Sequence, residues 1–264
     1  MAYETILLER DGAVATVTLN RPRAMNSLTW ELMVELGEAL AICEHSEDIR
    51  AVILTGNGRA FCAGADVSSL TSRTGNAAVR YLYQLAEGMH ERVVMPLRRM
   101  PKPVIAAVNG VAAGAGVGIA LACDLCVAAT EARFVVAYSS VGICPDCSTS
   151  FFLPRLVGPA KAMELYLFNE PVSGQRAQEL GLVKRVVPVE EVLPTAREMA
   201  LRLAQGPTAA IGQTKHLFTA SFANDLAAHL REEALGVGIC AATDDHLEGV
   251  AAFLEKRPPQ FKGH

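Results

Sequence analysis

Apolar and polar residues alternate along this chain with two different periods, and the changes between them outline an architecture. Residues 5–9 and 14–19 read as strands, with Asp11-Gly12 as the hairpin turn between them. The second strand sets Val14, Thr16 and Thr18 against Ala15, Val17 and Leu19 on opposite sides. Residues 21–27 form a loop, and Ser27 or Thr29 is suited to cap the helix that follows. That helix repeats Leu32, Leu36, Leu40 and Cys43 near a 3.6 period. Residues 51–55 are a buried strand closed by Gly56-Asn57-Gly58. A long amphipathic helix spans 77–100, with Pro96 placed to kink it and Pro101 and Pro103 to end it. A second buried strand, 104–108, turns at Asn109-Gly110 into a glycine- and alanine-rich stretch, 111–118. A short helix, 119–123, then leads to a strand at 125–128.

After about residue 158 the helical period dominates, over 160–168, 173–180, 189–205, 208–218, 222–237 and 243–256. Strands alternating with helices predict an α/β fold. We expect a core over residues 1–200 and a helical region over 201–264, with no repeat and no Gly/Ser-rich linker between them.

Composition narrows the function. Among 264 residues, 51% are hydrophobic and 20% charged, and the net charge is −4, which gives a general nucleic-acid or membrane-surface role no electrostatic support. No transmembrane run is visible, and the first nine residues lack the apolar segment of a signal peptide. A cytoplasmic location with reduced thiols is expected for a bacterial source. Cys123, Cys126, Cys144 and Cys147 form two C-x-x-C pairs at zinc-ribbon spacing, but the first pair lies in an apolar run, so no metal is expected.

Three segments carry candidate chemistry. The first, Phe61-Cys-Ala-Gly-Ala-Asp66, follows a strand, and Gly64 lets the backbone turn sharply so that the amide of Ala65 can face a cleft. A simple turn with Asp66 as a helix cap fits those residues equally well. The second, residues 109–118, also leaves a strand, and its small residues let amides reach a ligand oxygen at a helix start. Close helix–sheet packing makes the same demand. Its glycine spacing fits neither a dinucleotide fingerprint nor a P-loop. The two turns together can form a two-donor oxyanion hole. The third segment, Gly142-Ile-Cys-Pro-Asp146-Cys-Ser-Thr-Ser, sets a carboxylate among apolar neighbours, where it can act as base or nucleophile. Taken alone, Asp146 reads more readily as a helix cap.

In order and spacing, these segments resemble the enoyl-CoA hydratase/isomerase (crotonase) superfamily. The resemblance runs from Leu19-Asn-Arg-Pro, through Lys102-Pro-Val-Ile-Ala-Ala-Val-Asn-Gly and Ala177-Gln-Glu-Leu-Gly-Leu-Val, to Phe253-Leu-Glu-Lys-Arg-Pro-Pro-Gln-Phe. It implies a crotonase-like ββα spiral with a C-terminal helical region that builds trimers, often paired into hexamers. It implies backbone oxyanion donors at Ala65 and Ala115, and an acyl-CoA thioester as substrate with no further cofactor. Contacts to CoA and the acyl group are implied for Arg23, Met25, Ala63, Gly64, Asp66, Val67, Gly114 and Tyr138. Phe253 and Lys256 would approach the adenine end from a neighbouring subunit, and Arg21 would add charge for the CoA phosphates.

The resemblance also contains a departure. Gly118 and Tyr138 stand where the family's hydratases carry two glutamates. Asp146 instead matches the single aspartate of the phenylacetate-pathway ring-opening and double-bond isomerases, and that of 4-chlorobenzoyl-CoA dehalogenase, where it is a nucleophile. An enoyl-CoA isomerase using Asp146 as acid/base is therefore expected. The alternatives are nucleophilic chemistry at Asp146, as a dehalogenase or thioesterase with His90 as a possible base, a hydratase lacking both glutamates, or an acyl-CoA binder without activity.

Overall fold

The computed structural model describes residues 3–66, 68 and 74–264. Strands β1 (Ile6–Asp11) and β2 (Val14–Leu19) form the expected antiparallel hairpin. Thr29, rather than Ser27, caps helix α1 (Trp30–His45), accepting the Leu32 N–H at 3.3 Å. From β3 (Ala51–Gly56) onward the chain winds as a spiral. Each turn places one strand in a large sheet and the next strand in a small one. β3 is followed by β4 (Ala60–Cys62), β5 (Val104–Val108) by β6 (Val111–Ala113), and β7 (Leu125–Ala129) by β8 (Arg133–Val135). The large sheet has the order β1-β2-β3-β5-β7-β10, with β10 at Arg185–Val187; the small one runs β4-β6-β8-β9, with β9 at Val172–Ser173. Apart from the β1–β2 and β8–β9 pairs, all neighbours are parallel.

The small sheet is the main feature that the residue pattern did not announce. Its strands have two or three residues each, too short to register a period of two. Successive turns of the spiral meet with no room for side chains. A Cβ on Gly110 would lie 2.1 Å from Arg59 O, and one on Gly116 2.2 Å from Cys62 O. Helix α4 (Ala115–Ala122) accordingly starts four residues earlier than the pattern suggested, directly after β6 and Gly114.

The long helix of the central region begins at residue 75 and is not uniform. It comprises α2 (Gly75–Met89), a π turn (His90–Val94) and α3 (Met95–Arg99). Pro96 has no N–H and crowds the carbonyl four residues back, and a widened turn relieves both problems.

Beyond β8 come α5 (Thr149–Val157), α6 (Pro159–Phe168) and α7 (Gly174–Glu179), the last capped by Ser173. Helix α8 (Val189–Ala204) turns Val192, Ala196, Ala200 and Ala204 inward; it contains residue 200, and it packs on β2, β3, β5 and β7. α9 (Thr208–Ala220) is joined to the core by a buried charge cluster. Lys215 Nζ meets Asp124 at 2.7 Å, and Arg98 meets the same carboxylate at 3.2 Å. Helix α10 (Leu226–Ala241) starts four residues later than expected, with Asp225 as its cap, and α11 (Asp244–Glu255) closes the chain. Among the described residues, no helix is long and apolar enough to cross a membrane.

Candidate active site

The small sheet delivers two turns to one place. After β4 the chain bends at Gly64, whose φ of +84° belongs to the left-handed region. A Cβ on Gly64 would lie 2.8 Å from Ala113 O and 3.4 Å from Ala115 N, so the first turn lies directly against the second. Leu28 clasps the first turn from both ends: its N–H donates to Gly64 O at 2.8 Å, and its carbonyl accepts the Asp66 N–H at 3.0 Å. After β6 the second turn bends at Gly114, with φ +51°, and its N–H donates to Val135 O at 2.9 Å. Ala115 opens α4, so its N–H has no carbonyl within the helix to meet. Among the described residues, neither the Ala65 nor the Ala115 N–H has a protein acceptor.

Asp146 stands on the loop before α5. Its Oδ1 accepts the Tyr138 hydroxyl at 2.8 Å, and that hydroxyl also lies 3.1 Å from Thr149 Oγ1. The Tyr138 ring is buried and reaches to 4.0 Å from the Cβ position of Gly114, so one side chain bridges the second turn and Asp146. Burial first, and then the Asp146 charge, push the phenol well above its ordinary pKa, so Tyr138 remains a donor. Burial, and then the neighbouring Asp146 charge, push the Cys147 thiol up too. The Asp146 side chain does not cap α5; the residue before that helix is Ser148, which makes no side-chain cap. Instead the backbone turns a tight corner. Cys147 (φ 45°) and Ser148 (φ 67°) are both left-handed, a conformation that costs a non-glycine residue about 1–3 kcal/mol. The Asp146 carbonyl accepts the Thr149 N–H at 2.9 Å, and Ser148 Oγ donates to Gly118 O at 3.2 Å.

This corner also explains why residue 118 is glycine. A Cβ there would lie 2.0 Å from Cys147 O and 2.7 Å from Thr149 Oγ1. The Asp146 corner therefore fills the space a side chain at 118 would need.

The other expected contact residues divide into groups. The loop carrying Met25 lies along the first turn, with Ala63 N–H donating to Met25 O at 3.0 Å, and Arg23 is exposed beside it. Arg21 does not face outward as a free charge. Its guanidinium pairs with Asp66 at 3.0 Å and donates to the Ser27 carbonyl. The Ser68 hydroxyl, and then Arg21, hold the Asp66 carboxyl below the usual range. Val67 lies outside the described residues. Phe253, 83% exposed, and Lys256 sit at the end of α11, where Phe253 lines a 360 Å³ cleft with Pro207, Cys240 and Phe261, apart from both turns. Among the described residues no three potential metal ligands cluster. Cys123 and Cys126 are buried, and their thiols meet backbone carbonyls.

One participant was only weakly legible. His90, in the π turn, accepts the Cys147 N–H on Nε2 at 3.1 Å. A lone histidine on an amphipathic helix carries no sequence signal for such a contact.

Comparison with known proteins finds relatives that span nearly the whole chain. The family model for enoyl-CoA hydratase/isomerase matches residues 9–264. The chain is 41% identical to 1,2-epoxyphenylacetyl-CoA isomerase of Escherichia coli (strain K12), over 98% of this chain and 99% of that protein. It is 35% identical to crotonyl-CoA hydratase of Syntrophomonas wolfei, over 99% of each. Among solved structures, an enoyl-CoA hydratase from Polaromonas sp. JS666 superposes with a TM-score of 0.92 at 38% identity, covering 97% of this chain and 99% of that one.

Proposed function

The chain belongs to the enoyl-CoA hydratase/isomerase family, and from that premise we propose that it is an acyl-CoA isomerase with one carboxylate, Asp146, as acid and base. The observation that carries the proposal is the Tyr138–Asp146 hydrogen bond beside the Gly114 turn. In this reading the thioester oxygen lies between the N–H groups of Ala65 and Ala115. Negative charge gathers on that oxygen as a carbon-bound proton leaves, and the two amides stabilise it. Asp146 takes the proton from one carbon and returns it to another, while Tyr138 fixes the carboxylate's orientation. Nothing is added to the substrate, so a second carboxylate has no task. A hydratase reading has to supply one, yet position 118 is closed to side chains and position 138 holds a phenol.

A nucleophilic Asp146 would need a base to activate water. The Nε2 of His90 already accepts the Cys147 N–H, which leaves that ring no second lone pair for the task. The acyl group is a 3-enoyl or an epoxyphenylacetyl type, as the name of the Escherichia coli relative suggests. Arg23, Met25, Ala63, Asp66 and Val67 follow the CoA arm. The outward apolar residues of α9–α11, among them Phe218, Leu226, Leu235 and Leu254, seat neighbouring copies in a trimer or a pair of trimers. Those copies bring Phe253 and Lys256 to the site.

The test is to incubate the protein with 3-enoyl-, 2-enoyl-, epoxyphenylacetyl- and halobenzoyl-CoA and to weigh the products. Isomerisation gives a chromatographically distinct thioester of unchanged mass, and that is the expected result; recovery of unreacted substrate alone would overturn the proposal. A product heavier by one water, or one that has lost halide, would overturn the proposal.

A further inference from the structure

The π turn between α2 and α3 directs one side chain toward the Asp146 corner. Met95 N–H bonds to His90 O, five residues back, so the helix is widened at His90 itself. Across the gap, the Cys147 N–H donates to His90 Nε2 at 3.1 Å. Cys147 is the first of the two left-handed residues that follow Asp146. Such backbone persists only where its surroundings over-determine it. Here several bonds do so, among them Thr149 N–H to the Asp146 carbonyl, Ser148 Oγ to Gly118 O, and Cys147 N–H to the imidazole; the Tyr138 hydroxyl also meets the Asp146 carbonyl at 3.2 Å. The first is local and the second comes from α4. The third is the one that ties the corner to the α2–α3 helix.

We infer that His90 is a positioning residue: through the Cys147 amide, it holds the left-handed corner that aims the Asp146 carboxylate. The inference rests on the reading of Asp146 as the acid/base. Because an N–H donates to Nε2, that nitrogen bears no proton, and the ring is the neutral tautomer with its hydrogen on Nδ1. His90 thus acts as an acceptor and transfers no proton.

Three measurements test this assignment. In ring-labelled, unmutated protein the ¹⁵N shift of His90 Nε2 is expected to be that of an unprotonated, hydrogen-bonded nitrogen; a protonated Nε2 would overturn the assignment without any variant. In His90→Ala, hydrogen exchange at the Cys147 amide is expected to speed up about tenfold or more, and kcat to fall by roughly ten- to a hundredfold with KM unchanged, the scale of one lost hydrogen bond at a constrained site. His90→Gln offers a carbonyl oxygen in place of the imidazole and is expected to restore both. Unchanged Cys147 exchange in His90→Ala would refute the clamp. So would a His90→Gln enzyme with restored protection but no recovered kcat, which would assign His90 a chemical role. Asp146→Asn turning over at the wild-type rate would refute the Asp146 reading itself, whereas the exchange and shift data bear on His90 alone.

Discussion

The Ala65–Ala115 side of the site and the Asp146 side are held in place by different means. The two amide-bearing turns are fixed by main chain on main chain: Gly64 lies against Ala113 and Ala115, Leu28 clasps the first turn, and the short parallel strands set the spacing. The Asp146 corner keeps a main-chain bond, from the Thr149 N–H to the Asp146 carbonyl, and otherwise depends on side chains. Tyr138, His90 and Ser148 each supply a hydrogen bond, and two residues are held in left-handed backbone. On the proposed mechanism the difference follows from the task. A carbonyl oxygen must be met at one fixed point, whereas a base that serves two carbons needs an aim that side chains can tune.

The contrast can be broken or sharpened by experiment. Asp146→Asn should have the largest effect, a loss of about 10²–10⁴-fold in kcat with the acyl-CoA still bound, measured by isomer formation and by thermal shift. Turnover near the wild-type rate would remove Asp146 from the chemistry. Gly64→Ala comes next. It forces a side chain into a φ of +84° and against Ala113 O, displacing one amide, and should lower kcat about 100-fold, as loss of one oxyanion donor does. An unchanged kcat would mean that this turn does not touch the thioester. Tyr138→Phe keeps the ring but removes the bond to Asp146, and a roughly tenfold drop in kcat with intact folding is expected.

The last test reads stability rather than rate, and concerns pH. Burial pushes Cys62 and Cys126 up to about 12 and Cys43 up to about 11. The folded chain keeps these protons, while the unfolded chain releases them near pH 9. Stability therefore falls as pH rises above 9, by about 1.4 kcal/mol per thiol per pH unit until each folded value is reached. Urea midpoints between pH 8 and 11 would read this slope, and Cys62→Ala should make it shallower.

What the sequence disclosed follows the same division. Glycines mark main-chain constraint, so Gly64 was readable as a turn and residues 109–118 as a second close approach, and long apolar runs gave β3, β5 and β7. The small sheet stayed hidden because its strands are too short to show a period. The α10 start shifted from Phe222 to Leu226 because the Asp225 cap, and not the first apolar residue, decides where the helix begins. Asp146 was visible as a residue, but its contact with Tyr138 joins positions eight apart through a corner that no propensity encodes. The His90 contact spans 57 residues and follows from where a proline widens a helix. Arg21, expected to add charge for the CoA phosphates, is paired with Asp66, 45 residues away, a contact no local pattern encodes.

Backbone-to-backbone stacking at Gly110 and Gly116 has a further consequence for how such a molecule can diverge. Carbonyls of the preceding turn already fill the places where side chains would go, so a side chain at either position would have to displace main chain. The corner opposite is held largely by side chains, so on the proposed mechanism one exchanged residue there redirects the fate of the same activated thioester. Relatives at 41% and 35% identity carry an isomerase name and a hydratase name.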